Sequence, residues 1–177
     1  MSEHPVIIDS ETVFHGKVFD VRIDRLRGEG REYRQDVVVH RGSFAILAEP
    51  SPGRVILVRQ YRHATGRDLW ELPAGKADDD ETPEAGARRE LHEETGFKAG
   101  SMDRLWSVYP TPGFCDEVLH IFYARDLQPG AQKLDEDEQI EVREFAVNEA
   151  LDLQASGQIG DMKTLLALTW LRPRQHQ

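Results

Sequence analysis

The chain of 177 residues is poor in cysteine, in long apolar runs and in basic side chains. Its single cysteine, Cys115, excludes an intramolecular disulfide and a zinc site built from several cysteines. No apolar run approaches the roughly 20 residues that a membrane-spanning helix needs. The first ten residues also lack the basic and apolar regions of a secretory signal. We therefore expect a cytoplasmic protein without a membrane partner, made of one domain or of one domain with a small appendage.

Acidic side chains outnumber basic ones by 32 to 22, which gives a formal net charge of −10. Nucleic acids attract positively charged surfaces, so this balance argues against a nucleic-acid partner. Half of the excess negative charge lies in residues 75–97, which hold eight acidic and three basic side chains. A second acidic run covers residues 135–141. An anionic ligand at either place would need a cation between itself and the protein.

Hydrophobic patterning predicts a mixed α/β chain. Runs rich in β-branched and aromatic residues predict strands at residues 17–26, 31–40, 43–50, 54–61, 104–110, 117–127 and 140–147. The tail, residues 147–171, predicts two helices divided at Gly160 and Asp161. In the second of these helices we expect a buried leucine cluster, which consists of Leu165, Leu166 and Leu168.

One central helix is predicted over residues 82–95, and its ends are well marked. Thr82 suits the N-cap, Pro83 suits the first helical position, and Gly96 suits the residue after the last turn. The strands therefore lie largely before and after a single central helix.

Three glutamates fall on one face of this helix. Glu90, Glu93 and Glu94 have the spacing i, i+3 and i+4, so their carboxylates repel one another unless a cation offsets them. Arg89 can reach Glu93 at i+4 and relieve one of the three. A solvated acidic face is one interpretation of this pattern. A site for a hard divalent cation such as Mg²⁺, which prefers carboxylate oxygen, is the other.

The surrounding residues favour the cation site. The segment GKADDDETPEAGARRELHEETGF, residues 75–97, matches every fixed position of the template Gly, five residues, Glu, seven residues, Arg-Glu-apolar-any-Glu-Glu-any-Gly-apolar. This segment resembles the Nudix box, the signature of the Nudix hydrolases. The resemblance implies an α/β fold, a Nudix-type α/β/α sandwich with a mixed sheet and an N-terminal antiparallel β extension. It also implies hydrolysis of a nucleoside diphosphate linked to another group, with Mg²⁺ or Mn²⁺ as cofactor.

Segments outside the box resemble the ADP-ribose pyrophosphatase branch of this family. They are VRQYR at residues 58–62, WELPAGK at 70–76, TPGFCDE at 111–117, DEDEQIEV at 135–142 and the tail SGQIGDMKTLLALTWL at 156–171. The resemblance covers roughly residues 11–171. It implies ADP-ribose as substrate, with AMP and ribose 5-phosphate as products.

The resemblance assigns metal-binding and catalytic roles to individual residues. It implies that the cation is held by the carbonyl of Ala74, by Glu90 and Glu94, and by Glu93 directly or through water. On the late acidic loop it implies a general base and another metal ligand. We assign the base to Glu136 and the ligand to Glu138, although the reverse order stays open.

The resemblance also implies substrate contacts. Arg62 would hold a phosphate or a ribose, and the terminal ribose would lie against a group of residues that consists of Thr111, Pro112, Gly113 and Glu117. A surface arginine and a simple turn are the alternative interpretations of these two places. The adenine-stacking aromatic residue of the branch has no clear match here. Phe19 and Tyr33 are candidates only by their position in the N-terminal strands.

Two other functions remain open at this stage. A hydrolase of GDP-mannose, or of nucleoside diphosphate sugars in general, would use the same box with different pockets for base and sugar. A ligand-sensing Nudix domain without catalysis would not need Glu90, Glu93 and Glu94 together. A panel of substrates distinguishes these readings.

The domain organisation follows from the same resemblance. We expect a β-rich N-terminal extension over residues 1–40 and a Nudix hydrolase domain over residues 41–177. The branch is similar to homodimers in which the N-terminal strands of one subunit help to build the site of the other. A homodimer with residues 1–40 as the dimerisation element is therefore the expected assembly.

Overall fold

A computed structural model describes residues 4–78, 81–134 and 139–172 of the chain. These residues divide into two compact units. The first holds the described residues up to Gly42 together with Val108–Leu119, and the second holds Ser43–Ser107 together with the described residues from His120 onward. Within these ranges, none of the helices is long and apolar enough to cross a membrane.

The first unit contains a three-stranded antiparallel sheet in the order β1-β2-β3. Its strands are β1 Val6–His15, β2 Phe19–Gly28 and β3 Arg31–His40. Glu29 and Gly30 join β2 to β3 with φ angles of 52° and 74°, as a two-residue turn of this kind requires. This sheet is the predicted antiparallel β extension, and β1 begins before the strands that the patterning indicated.

The second unit is built around a seven-stranded sheet with the order β10-β5-β4-β9-β8, in which β6 pairs with β5 and β7 pairs with β4. The strands are β4 Ser43–Ala48, β5 Arg54–Arg62, β6 Arg67–Glu71, β7 Ala74–Lys76, β8 Lys98–Val108, β9 Leu119–Gln128 and β10 Glu141–Ala146. Patterning did not predict β6 and β7. Both are short, and β7 also depends on pairing with β4, about 30 residues earlier in the chain. They carry the chain into the box.

Helix α1, Pro83–Thr95, has the ends that the sequence predicts. The Thr82 hydroxyl oxygen accepts a hydrogen bond from the Ala85 N–H at 3.3 Å. Gly96 adopts a left-handed conformation with φ 78° and donates its N–H to the His92 carbonyl. Both capping predictions are therefore confirmed.

The tail forms the two predicted helices, α2 Val147–Ala155 and α3 Met162–Leu171. Leu168 is buried and Leu165 is partly buried, but Leu166 is exposed. The expectation for Leu166 was wrong. The buried positions of α3 follow the helical spacing of Thr164, Leu168 and Leu171, and Leu166 lies on another face.

Helices cover the large sheet on both faces. Alternate residues of β4, such as Phe44 and Ile46, pack in one core cluster with Ala87 and Leu91 of α1. Because side chains alternate along a strand, the intervening residues of β4 point to the other face, and α3 packs against this same strand. This arrangement is the predicted α/β/α sandwich, and it fixes α1 beside β4 and β7.

Candidate active site

The three helix glutamates lie at the last two turns of α1 and differ in exposure. Leu91 is completely buried in the core, which fixes the rotation of the helix around its axis. The side chains of Glu90 and Glu93 are 14% and 36% exposed, and Glu94 is buried. Burying a carboxylate is costly unless it is paired with a cation or accepts hydrogen bonds. The buried and partly buried glutamates of this face therefore need such partners.

The backbone of β7 supplies the first of these partners. The Ala74 N–H donates to Glu94 Oε2 at 2.9 Å. A Cβ atom at Gly75 would lie only 1.8 Å from the carboxyl carbon of Glu90, so that carboxylate is seated directly against the glycine backbone. The structure therefore brings together three of the predicted metal ligands, Ala74, Glu90 and Glu94.

Arg89 gathers the remaining charges around this point. Its Nη1 donates to Glu90 Oε1 at 2.9 Å and to Glu93 Oε2 at 2.8 Å, which confirms the predicted i, i+4 pair. Its Nε and Nη2 donate to the two carboxylate oxygens of Glu81 at 3.1 and 3.0 Å, and Nη2 also reaches the Lys76 carbonyl. One guanidinium thus ties the loop before the helix to the acidic face.

These contacts shift the protonation equilibria of both partners. The hydrogen bond with Glu81 is the largest cause that raises the pKa of the Arg89 guanidinium well above its ordinary value, and Glu93 and Glu90 add to it. The same hydrogen bond lowers the pKa of Glu81. Glu81, a fixed residue of the box template, therefore acts as an anchor for Arg89.

The last turn of α1 is also held by the segment that follows β9. Gln132 Nε2 donates to the Glu94 carbonyl at 2.6 Å, and the Lys133 N–H donates to the Glu93 carbonyl at 2.9 Å. A Cβ atom at Gly96 would lie 2.6 Å from the Gly130 carbonyl oxygen, so the backbones approach closely. Beyond Lys133 the chain leads to Glu136 and Glu138, and both of these predicted catalytic residues lie outside the described residues.

The predicted phosphate-binding residue, Arg62, lies at the end of β5. Its Nε and Nη2 donate to Glu71 Oε1 and Oε2 at 2.8 and 3.0 Å. The charge of Glu94 is one of the causes that raise the pKa of Arg62, after the hydrogen bond with Glu71. The structure therefore brings Arg62 into the electrostatic neighbourhood of a box carboxylate.

The residues predicted to contact the terminal ribose, Thr111, Pro112, Gly113 and Glu117, belong to the first unit. The Thr111 carbonyl accepts the N–H groups of Phe114 and Cys115 at 3.3 and 3.1 Å, which makes this segment a turn. The aromatic candidates Phe19 and Tyr33 also belong to this unit and are exposed.

The oxygen atoms of the predicted ligands are of the chemical type that binds a hard divalent cation. Carboxylates and a backbone carbonyl are the oxygen ligands that Mg²⁺ prefers, and the seat of Glu90 against Gly75 is one that a Cβ atom would fill. Among residues 4–78, 81–134 and 139–172, however, no group of three or more His, Cys, Asp or Glu side chains is placed to hold a metal ion. The helix carboxylates therefore fit such a cation only as part of a larger set.

Sequence reasoning missed the residues that hold the site from behind. Glu71 lies in the segment before the box and pairs with Arg62. Lys163 contacts Glu71, Thr164 contacts the neighbouring Leu72, and Gln132 contacts the end of α1. The acidic Glu71 inside the apolar run of WELPAGK was a usable signal, since a buried carboxylate needs a partner. Lys163 and Thr164 carried no comparable signal, because their partners are 92 residues away.

The chain is similar to known proteins over most of its length. The family model described as the NUDIX domain matches residues 39–167. The chain is 38% identical to an ADP-ribose pyrophosphatase of Bacillus subtilis, over 95% of this chain and 92% of the relative. It is 33% identical to a GDP-mannose pyrophosphatase of Escherichia coli, over 94% of this chain and 91% of the relative.

A solved structure extends the comparison to the fold. The crystal structure of an ADP compounds hydrolase superposes with a TM-score of 0.86 at 24% sequence identity. The match covers 99% of this chain and 96% of that structure. At this level of identity the likeness is one of fold, and it includes both the sheets and the helices described above.

Proposed function

The chain belongs to the Nudix family, and from that premise we propose that it hydrolyses the pyrophosphate bond of ADP-ribose to AMP and ribose 5-phosphate with the help of a divalent cation. The observation that carries the proposal is the meeting of the Glu90 and Glu94 carboxylates with the Ala74–Gly75 backbone. The similarity to an ADP-ribose pyrophosphatase over almost the whole chain supports the choice of substrate.

The cation-binding role belongs to the box glutamates, to the residue before the box and to the late acidic loop. We propose that the Ala74 carbonyl and the side chains of Glu90, Glu93 and Glu94 hold Mg²⁺ or Mn²⁺, with Glu138 as a further ligand. When bound, such a cation neutralises phosphoryl oxygens and polarises them toward attack. Arg89 balances Glu90 and Glu93 and keeps both side chains in place.

The base role falls to the late acidic loop. Glu136 takes a proton from the attacking water, whose oxygen forms a bond to phosphorus while the bridging P–O bond breaks.

Two variants test these roles. The proton transfer to Glu136 takes place in the transition state, so Glu136→Gln should lower kcat and leave substrate binding nearly intact. Glu138→Gln should instead raise the Mg²⁺ concentration that gives half of the maximal rate. If Glu138→Gln lowers kcat and Glu136→Gln raises the Mg²⁺ requirement, the two roles are exchanged. If both variants change the rate less than about threefold, roughly 0.7 kcal/mol, the loop has no catalytic role.

Substrate contacts are separate proposals. Arg62 binds a phosphate of the substrate, a role supported by the resemblance of its segment VRQYR and by the charge of Glu94, which acts on its guanidinium. Thr111, Pro112, Gly113 and Glu117 contact the terminal ribose, which the resemblance of their segment supports. A cytoplasmic location and a homodimer complete the proposed picture.

A substrate panel tests the proposed function. ADP-ribose, GDP-mannose and UDP-glucose are each incubated with the chain and Mg²⁺ or Mn²⁺, and the products are separated by ion-exchange chromatography. We expect the highest kcat/KM with ADP-ribose, and AMP and ribose 5-phosphate as its products. A preference for GDP-mannose would favour the second candidate, which the Escherichia coli relative supports. If none of the substrates is hydrolysed, the remaining interpretation is a Nudix domain without catalytic activity.

A matched pair of variants assigns the turnover to this site. Glu94→Gln keeps the volume of the side chain and removes the charge that a hard cation requires, so kcat should fall by at least about a hundredfold, about 2.7 kcal/mol. Glu84→Gln, in the first turn of the same helix, removes an exposed carboxylate that pairs with Arg88. It should keep nearly full activity. Equal activities of the two variants would contradict the assignment.

A further inference from the structure

A buried ion-pair network lies behind the candidate site, outside the predicted catalytic residues. Its centre is the Glu71 carboxylate, whose side chain is 4% exposed. Two cations share this carboxylate. Arg62 binds both of its oxygens, and Lys163 Nζ from α3 donates to Oε2 as well.

The contacts within the network favour the charged forms of Glu71 and Arg62. Burial favours the protonated form of Glu71, but hydrogen bonds and charges from Arg62 and Lys163 outweigh it and lower the pKa of this carboxyl. The hydrogen bond with Glu71 is the largest cause that raises the pKa of Arg62. Arg62 and Lys163 are therefore both paired with the negatively charged Glu71 carboxylate.

Lys163 is held in place from its own side. Asp161, the N-cap of α3, accepts Lys163 Nζ and the Thr164 N–H through Oδ1 at 2.9 and 3.0 Å. Its Oδ2 is buried and has no hydrogen-bond partner among the described residues. Asp161 also contributes to the raised pKa of Arg62, so its charge reaches that guanidinium.

The charge balance shows what Lys163 contributes. With Lys163 the network has two cations, Arg62 and Lys163, for two anions, Glu71 and Asp161. Without it the single cation Arg62 would face both carboxylates. The charge of Asp161, which acts on Arg62, would then lose its own cation, and an uncompensated negative charge would remain near the guanidinium.

We propose that Lys163 is a positioning residue for substrate binding: by neutralising Glu71 and Asp161, it keeps the Arg62 guanidinium oriented for a phosphate of ADP-ribose. This inference rests on the proposed function, because the phosphate partner of Arg62 belongs to it. Arg62 Nη1 is not used in the bidentate pair with Glu71. A substrate phosphate can therefore bind Arg62 without displacing Glu71.

The test measures KM and kcat for ADP-ribose at saturating Mg²⁺. Lys163→Met keeps the length of the side chain and removes the charge, so KM should rise at least about fivefold while kcat changes less than about threefold. Lys163→Arg restores the charge and should bring KM back toward the wild-type value. Lys98→Met, at the exposed start of β8, removes a lysine charge elsewhere and should leave both constants unchanged.

A double-mutant cycle distinguishes positioning from a merely structural role. If Lys163 acts through Arg62, Lys163→Met should have almost no further effect on KM in the Arg62→Gln background. Additive effects on KM would overturn the proposal. So would a lower Tm of Lys163→Met with the wild-type KM, because the ion pair would then only stabilise the fold.

Two further comparisons separate a folding defect, and a failure of the proposed function, from a failure of this inference. If Lys163→Met does not fold, Lys163→Gln removes the charge and keeps a hydrogen-bond donor, and a wild-type KM in that variant overturns the proposal. If the wild-type chain hydrolyses ADP-ribose and the lysine variants keep its KM, the proposed function stands and this inference fails. A wild-type chain without activity on ADP-ribose overturns both.

Discussion

At the scale of single residues, the Glu90 carboxylate occupies the space that a side chain at Gly75 would need. Any side chain at this position would place a Cβ atom between 1.8 and 2.2 Å from the carboxylate atoms of Glu90. Gly75→Ala should therefore displace Glu90 and lower kcat at least about tenfold, about 1.4 kcal/mol in the activation free energy. Steady-state kinetics at saturating Mg²⁺ checks this prediction.

The control for this variant is Gly160→Ala. A Cβ atom at Gly160 would meet only Leu69 Cδ2, at the ordinary contact distance of 3.8 Å. This variant should keep the wild-type rate. Wild-type kcat in Gly75→Ala would contradict this prediction.

A second residue-scale prediction concerns acid stability. Asp24 is buried in β2, and hydrogen bonds from Arg22, and then from Ser10, lower the pKa of its carboxyl. A carboxyl with a lowered folded-state pKa contributes stability above its unfolded pKa of about 3.9, and this contribution is lost as the pH falls through the folded value. Asp24→Asn should therefore lower Tm at pH 7, and the difference from wild type should shrink as the pH falls below about 4.

Thermal unfolding between pH 7 and pH 3 measures this difference. Asp9→Asn, which removes an exposed carboxylate from the neighbouring strand β1, is the matched control and should leave Tm nearly unchanged at pH 7. A constant difference in Tm between wild type and Asp24→Asn at every pH would contradict the ionic origin of the effect.

At the scale of elements, α3 supports the backbone that leads into the box. The Thr164 hydroxyl oxygen is buried and accepts the Leu72 N–H at 2.9 Å, two residues before Ala74. Thr164→Val keeps the shape of the side chain but leaves this buried N–H without its acceptor, at a cost of about 1–3 kcal/mol. Urea unfolding should show this loss in the free energy of unfolding.

The same helix offers the control for this substitution. Thr169 is exposed, and its hydroxyl donates to the Leu165 carbonyl within the same helix. Thr169→Val should change the free energy of unfolding by less than about 0.5 kcal/mol. An equal loss in both variants would mean that helix propensity, and not the bond to Leu72, determines the effect.

The elements differ in how far the sequence could predict them. The bounds of α1 were predictable because Thr82, Pro83 and Gly96 act through bonds within the helix itself. The exposure of Leu166 was predicted wrongly, because a leucine-rich helix does not reveal which of its faces meets a sheet. The partners of Glu71 could not be predicted either, since one lies nine residues away on another strand and the other lies 92 residues away on α3.

In the candidate site, too, local features were predictable from the sequence and long-range contacts were not. The face shared by Glu90, Glu93 and Glu94 and the pair between Arg89 and Glu93 are local to one helix, so spacing alone predicted them. The seat of Glu90 against Gly75 depends on where β7 pairs in the sheet. The sequence therefore predicted the arrangement of charges along the helix, and long-range strand pairing determined which backbone lies against them.

At the scale of the whole molecule, the N-terminal sheet is the part with the most exposed apolar side chains. In β1 and at the start of β2 the exposed residues include Val6, Ile7, Val13, Phe14 and Phe19. β1 is also an edge strand, with one row of backbone groups that is not paired within its sheet. Exposed apolar surface of this kind is typical of a protein–protein contact.

We therefore predict that the chain is a homodimer through this sheet. Sedimentation equilibrium should give twice the chain mass of 20.2 kDa. Replacing both Val13 and Phe14 by lysine should shift the mass toward the single chain, because burying two ammonium groups in an apolar contact is costly. Leu166→Lys alters an exposed apolar residue on α3 and should keep the dimer. A wild-type chain that sediments at 20.2 kDa over a hundredfold range of concentration, or a lysine pair that leaves the mass unchanged, would contradict this role of the N-terminal sheet.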